Sequence, residues 1–277
     1  MRKVRSRTGA EMPVLGQGTW EMGEDPRRRR EEIEALRLGL DLGMSLIDTA
    51  EMYADGGAER IVGEAVGGRR HEVFLVSKVL PENASLEGTI RAAERSLKRL
   101  RTDSLDLYLL HWESSHPLEE TLAGFERLIA DGKIRHYGVS NIDLEGLQRA
   151  ETLPGGGRIA CDQVYYNLSR RGIERKLLPW CAKRGIIVMA YSPLDQGKLC
   201  CAAELWKVAR RHGVTPACVA IAWTLRRSNV ISIPKASSLQ HVRENASAPD
   251  LRLTEQDLAD LHAAFPPPSR DIPLETL

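Results

Sequence analysis

The sequence predicts an α/β chain closed into a (β/α)8 TIM barrel, a single domain over residues 1–277 with an N-terminal hairpin and extra C-terminal helices. Three observations predict it. Short apolar or β-branched runs alternate with longer amphipathic segments, the pattern of parallel strands joined by crossover helices. The 277 residues suit a barrel, which commonly runs to about 250 residues as one domain. No linker or compositional break divides the chain, and Gly155-Gly156-Gly157 is too short for one and reads as a loop. An open doubly wound sheet is the other solution for this alternation, but the number of units favours closure.

The strand candidates, in order, are Val14-Leu15, Leu46-Ile47, Val73 to Val76, Leu105 to Leu110, Ile134 to Val139, Asp162 to Tyr165, Ile186 to Ala190 and Val230 to Ile233. Ahead of the first, Gly9-Ala10 between Val4-Arg5 and Met12 predicts a short hairpin that would plug the bottom of the barrel. Asp25-Pro26 reads as an N-cap followed by a proline at N1, with Ile33, Leu36 and Leu40 on one helical face. Ile90, Ala93, Leu97 and Leu100 form a second such stripe, and Leu118, Leu122, Phe125 and Ile129 a third. Gly197 to His212 reads as an additional helix outside the repeat. Thr215-Pro216 opens the next helix, and Thr254 with Asp257 predicts a capping box at the last.

Hydrophobic residues make up 42% of the chain, enough for a sizeable core, and the 28% charged residues nearly cancel to a net charge of +1. Nothing in that balance suggests a nucleic-acid binder or an acidic tail. In the run Arg27 to Arg30, Arg28 and Glu32 stand four apart, as do Arg30 and Glu34, which predicts surface ion pairs on a helix. Five cysteines without a CxxC pair argue against a disulfide framework or a zinc site. The basic N-terminus is followed by no apolar leader, and no apolar run reaches membrane-spanning length. These features point to a reducing, cytoplasmic setting, with no metal, no membrane and no nucleic-acid partner; a monomer or weak oligomer is the expectation, although no feature of the sequence sets the oligomeric state.

Function enters through the polar residues that close the apolar runs. Asp48, Lys78, His111, Ser140-Asn141, Tyr191 and Lys235 each come at or just after the end of one, and Gln163 lies within the sixth. Strand C-termini of a barrel converge on one face, which holds the active site. Singly, Lys78 is an ordinary strand-end lysine, His111 a structural histidine, Asp48 a cap and Tyr53 a packing aromatic. Together they fit one chemistry. Hydride reduction of a carbonyl leaves an alkoxide that needs a proton. A tyrosine can give it, but its reference pKa is about 10. A neighbouring ammonium lowers that value, a carboxylate holds the ammonium in place, and a histidine orients the carbonyl oxygen.

The motifs around these residues resemble those of the aldo-keto reductases over nearly the whole chain. LIDTAEMY (Leu46 to Tyr53), LVSK (Leu75 to Lys78), LYLLHW (Leu107 to Trp112), GKIRHYGVSN (Gly132 to Asn141) and the stretch Ile233 to Asn245 carry the likeness. Among subgroups, the chain is similar to bacterial methylglyoxal and diketogluconate reductases. The resemblance implies NADPH-dependent reduction of small-molecule aldehydes and ketones, with Tyr53 as general acid and Asp48, Lys78 and His111 completing a tetrad. It implies that Ser140, Asn141 and Gln163 bind the nicotinamide carboxamide and that Tyr191 stacks on the nicotinamide ring. Ser192, Pro193, Leu194, Gln196 and Gly197 would wrap the pyrophosphate. Lys235, Ser237, Ser238 and His241 would meet the 2′-phosphate, Glu244 and Asn245 the adenine, and Gly18 and Thr19 would border the cofactor. Trp20, Met52 and Trp112 would line the substrate pocket, with Met22 a further candidate.

Two positions depart from the family pattern. Ala236 stands where serine commonly follows the phosphate-binding lysine, and His241 where arginine commonly stands six residues after it. An always-charged, fork-shaped donor gives way to an imidazole, so NADH is expected as a weaker alternative cofactor. Other nucleotide and hydrolase signatures are missing. Gly16-Gln17-Gly18 lacks the third glycine of GxGxxG, Glu21 standing in its place, and there is neither a P-loop nor a GxSxG elbow. Two other readings are carried alongside: a non-catalytic, cofactor-binding regulatory subunit, and a Schiff-base lyase on the same barrel with Lys78 as nucleophile.

Overall fold

A computed structural model describes all 277 residues. Two short strands, β1 (Lys3–Arg5) and β2 (Glu11–Pro13), pair antiparallel with Val4 opposite Met12. The eight barrel strands come next: β3 (Gly16–Gly18), β4 (Leu46–Asp48), β5 (Phe74–Val79), β6 (Leu105–Leu110), β7 (Ile134–Ser140), β8 (Ile159–Tyr165), β9 (Ile187–Tyr191) and β10 (Val230–Ser232). They lie side by side in chain order, and every pairing is parallel. The ring closes between first and last: the Ser232 N–H donates to the Val14 carbonyl at 2.9 Å and the Gly18 N–H to that of Pro234 at 3.1 Å.

The first strand is displaced from its sequence expectation. Val14-Leu15 is the approach to the barrel, and the strand itself is Gly16-Gln17-Gly18, in register with Leu46-Ile47-Asp48. The low hydrophobicity of this strand has a physical cause. A Cβ on Gly18 would stand 2.8 Å from the Ile233 carbonyl oxygen, so closure needs a residue without one. Gln17 is buried because its amide nitrogen donates to the Leu36 and Met44 carbonyls, at 3.2 and 3.0 Å.

The helices are α1 (Arg29–Asp41), α2 (Gly57–Ala65), α3 (Leu86–Leu100), α4 (Leu118–Ala130), α5 (Leu144–Glu151), α6 (Leu177–Arg184), α7 (Ala203–His212), α8 (Pro216–Thr224), α9 (Leu239–Ala246) and α10 (Glu255–Ala264). Asp25 accepts from the Arg27 N–H at 2.9 Å, but Pro26–Arg28 forms a 3-10 turn before α1 begins. Arg30 and Glu34 pair at 2.8 Å. The Arg28–Glu32 pair does not form, because Glu32 turns inward to accept the Gly23 N–H at 3.0 Å, leaving Arg28 beside Glu31. The extra segment after β9 is a 3-10 turn at Lys198–Cys201 followed by α7. Both bonds of the Thr254–Asp257 capping box are present, at 3.2 and 2.8 Å.

Strand alternation divides the apolar residues into two layers. One joins Leu46, Val76, Leu107, Leu109, Met189 and Ile231 with Val4, Met12 and Leu15 of the hairpin region. The other packs Ile47, Leu75, Tyr108, Leu110 and Val188 against the helices. The hairpin sits at the N-terminal ends of β8 and β9: the Arg7 guanidinium donates to the Ile159 carbonyl at 2.9 Å, and the Arg7 N–H to that of Gly185 at 2.7 Å. It therefore plugs the barrel bottom and leaves the opposite mouth for chemistry.

Candidate active site

The strand-end residues converge as their positions predict. Asp48 ends β4, Lys78 lies one residue from the end of β5, His111 follows β6, Ser140 ends β7 and Tyr191 ends β9. At the centre the Lys78 ammonium donates to Asp48 Oδ2 at 2.8 Å, to the Thr49 carbonyl at 2.9 Å and to the Tyr53 hydroxyl at 3.1 Å. Lys78 has no exposed side-chain surface, so each of its three protons has an acceptor and none faces water.

Burial pushes the Tyr53 phenol upward, the Lys78 charge pulls it down and the Asp48 charge raises it again; the net direction is up. The lowering expected from the lysine is therefore corrected, because desolvation outweighs the ammonium. Tyr53 holds its proton at neutral pH, the state a proton donor needs. Burial pulls Lys78 down, yet the Asp48 and Tyr53 charges and their hydrogen bonds leave it above its ordinary value. His111 is held neutral, its pKa lowered to about 2 by burial and by the Lys78 charge. Its ring meets Tyr53 edge-to-face with centroids 5.7 Å apart, and Trp112 packs on it at 4.8 Å.

A second group surrounds this core. Gln163 donates from Nε2 to Asp48 Oδ1 at 2.8 Å, so in this structure its amide braces the tetrad carboxylate. Asn141 donates to the His111 carbonyl at 3.2 Å and accepts from the Tyr191 hydroxyl at 3.0 Å. Ser140 donates to the Gln163 carbonyl at 2.9 Å, and Thr19 to that of Asp48 at 2.9 Å. Sequence reasoning missed Thr49 as a lysine acceptor and Glu59, a fully buried carboxylate bonded to Ser77, the residue before Lys78. Glu59 accepts from Ser77 at 2.7 Å and from Arg99.

Beyond Tyr191, the segment Ser192 to Gly197 turns sharply, and the Leu194 and Gln196 N–H groups donate to no protein acceptor. Lys235 bridges to Gly18 where the barrel closes. Ser237 is buried with its hydroxyl unpartnered, next to the N-terminus of α9, which Ser238 caps by accepting the His241 N–H at 3.2 Å. His241 is exposed, Glu244 half-buried beside Gln240, and Asn245 buried. At the mouth, Trp20, Met52 and Trp112 are 40%, 41% and 38% exposed, whereas Met22 has no exposed surface and is core packing.

A parallel barrel with a tyrosine, lysine, aspartate and histidine gathered at its mouth defines a class of oxidoreductase. Comparison with known proteins gives the family. Residues 14–265 match the model of the aldo/keto reductase family, and the chain belongs to it. It is 51% identical over 262 residues to methylglyoxal reductase YeaE of Escherichia coli, covering 93% of this chain and 92% of that one. It is 33% identical over 264 residues to glyoxal reductase of Bacillus subtilis, with 94% and 91% covered. An aldo/keto reductase from Klebsiella pneumoniae, solved in complex with NADP and acetate, superposes with a TM-score of 0.97 at 46% identity, over 100% of this chain and 99% of that one. The protein is thus an oxidoreductase enzyme on the (β/α)8 fold. None of its helices is long and apolar enough to cross a membrane.

Proposed function

We propose that the protein reduces small aldehydes and ketoaldehydes, methylglyoxal among them, to alcohols with NADPH, and that Tyr53 supplies the proton. The observation that carries this reading is the buried Asp48–Lys78–Tyr53 chain beside a neutral His111. Support for the substrate class comes from the methylglyoxal and glyoxal reductases it resembles, and for the cofactor from relatives crystallised with NADP and NADPH.

The residues present fit that cofactor. The free Leu194 and Gln196 N–H groups suit a pyrophosphate. The unpartnered Ser237 hydroxyl, Lys235 and the first turn of α9 suit a terminal phosphate. Tyr191 would lie against the nicotinamide, with Ser140, Asn141 and Gln163 at its carboxamide. When bound, the cofactor supplies the hydride. The chain does the rest. The Tyr53 hydroxyl and the His111 ring hold the carbonyl oxygen, and Tyr53 gives its proton as negative charge develops there. Lys78 takes up the resulting phenolate charge, and Asp48 keeps the ammonium aimed at it. The three apolar side chains at the mouth flank the substrate.

The Schiff-base alternative is disfavoured by Lys78 itself. A nucleophilic amine needs a free lone pair, whereas this one is an ammonium with three acceptors. A turnover assay with NADPH and a panel of aldehydes, run beside borohydride trapping, tests the proposal. Oxidation of NADPH without covalent adduct supports it. A trapped adduct on Lys78, or no turnover with any carbonyl, would remove it.

A further inference from the structure

The turn that leaves β9 is bent against the preference of its residues. Ser192, Asp195 and Gln196 take φ values of 46°, 49° and 54°, in the left-handed region that a Cβ disfavours. Such a turn persists only where neighbours over-determine it. Two do, one at the end of β8 and one just beyond it. Asn167 donates from Nδ2 to the Ser192 carbonyl at 2.9 Å, and the Tyr165 hydroxyl donates to Asp195 Oδ1. Asp195 is only 5% exposed, and it takes part in no ion pair. The Tyr165 ring also lies flat against that of Tyr191, with centroids 5.4 Å apart and planes 4° apart.

We propose that Tyr165 is a positioning residue for the cofactor: its hydroxyl caps the Asp195 carboxylate and fixes the Ser192–Gly197 turn, while its ring backs Tyr191. The inference rests on the proposed function, in which this turn and Tyr191 carry NADPH. A pyrophosphate is a dianion, and a bare carboxylate within the turn that wraps it would repel it, the more so where water is excluded. The phenol hydrogen bond disperses part of that charge and holds the carboxylate in place, while its net charge remains. The phenol keeps its proton to do so, because burial, reinforced by Asp195, pushes it up to about 12. Removing the hydroxyl would leave Asp195 buried and unpaired, the costliest way to lose such a bond. Removing the charge as well should relieve that cost.

The test measures NADPH dissociation constants by fluorescence quenching, together with kcat at saturating NADPH. The proteins are wild type, Tyr165→Phe, Asp195→Asn and the double variant. The loss of a bond to a charged group predicts a roughly tenfold or greater rise in the dissociation constant for Tyr165→Phe. Its kcat should stay within about threefold, since lost uniform binding spares the chemical step. Asp195→Asn, alone or in the Phe background, should bind within about threefold of wild type, which would show that the uncapped charge was the cause. An unchanged constant in Tyr165→Phe, or a double variant as weak as the single one, overturns the proposal. If the Phe variant does not fold, the double variant decides: binding tenfold weaker than wild type overturns it. A wild type that binds no NADPH overturns the underlying cofactor reading instead.

Discussion

In the proposed function Lys78 is the residue on which the chemistry turns, because its ammonium touches both the Asp48 carboxylate and the Tyr53 phenol. Lys78→Met should therefore act through Tyr53. With the ammonium gone, nothing offsets burial and the Asp48 charge, so the phenol pKa rises further. Reduction should fall by about 10²-fold or more, and the alkaline limb of the surviving kcat profile should move to higher pH. A surviving profile identical to wild type would deny Lys78 its electrostatic role. That Asp48, Tyr53, Lys78 and His111 meet at one mouth was legible in the sequence, because each lies at or just beyond the end of a β-like run, Tyr53 five residues past Asp48. The braces around them were not. Gln163 and Asp48 are 115 residues apart, and only the closed barrel brings them together. The direction of the Tyr53 shift was also illegible, since it depends on how completely the phenol is buried.

Among the elements, α9 and the segment that leads into it set cofactor choice in the proposed function. Lys235→Ala should cut the NADPH-over-NADH affinity ratio by about ten- to a hundredfold, the worth of a charged hydrogen bond. His241→Arg should raise the ratio, since a guanidinium adds a bidentate contact. Dissociation constants for both cofactors check this, and a ratio that neither change moves would place the selecting residue elsewhere. The other C-terminal helix, α10, is docked by the acidic member of its own capping box. Asp257 accepts from His212 at 2.7 Å and pairs with Arg211 at 2.6 Å. Burial alone would raise its carboxyl, but His212, Thr254 and Arg211 hold it well below the usual range. A depressed folded-state value gives stability that is full above the unfolded value, near pH 4, and is lost as pH falls through the folded one. Asp257→Asn should therefore lower Tm by several degrees at pH 7, from a loss of about 1–3 kcal/mol. The gap should narrow below about pH 4. A gap that stays constant with pH would mean the charge is not what matters. Caps such as this one are visible in sequence because they are local, three residues apart. The first strand was misplaced because its glycines answer to Ile233, across the closure of the barrel.

At the scale of the whole molecule, the barrel divides its labour between two ends: a plugged bottom for stability and an open mouth for chemistry. Arg7 ties the hairpin to the bottom through Ile159, Gly156 and Glu151, at 2.9, 2.8 and 2.7 Å. Arg7→Ala should lower Tm by several degrees, at about 1 kcal/mol per lost bond, while leaving kcat and the cofactor constant unchanged. Parallel loss of activity at temperatures where the variant is folded would contradict that separation of ends. Alternation of strand and helix made the fold class readable, because eight such units have one compact closed solution. Which side chains meet at the mouth followed from the same alternation, but not which of them pair. In the proposed function the whole arrangement serves proton donation by Tyr53, and a single comparison tests it. Methylglyoxal reduction by wild type and Tyr53→Phe is measured at saturating NADPH, with the NADPH dissociation constant of each. A kcat lower by about 10² to 10⁴-fold, with cofactor affinity close to wild type, is expected of a lost proton donor. A Phe variant that retains most of its kcat would take that role away from Tyr53.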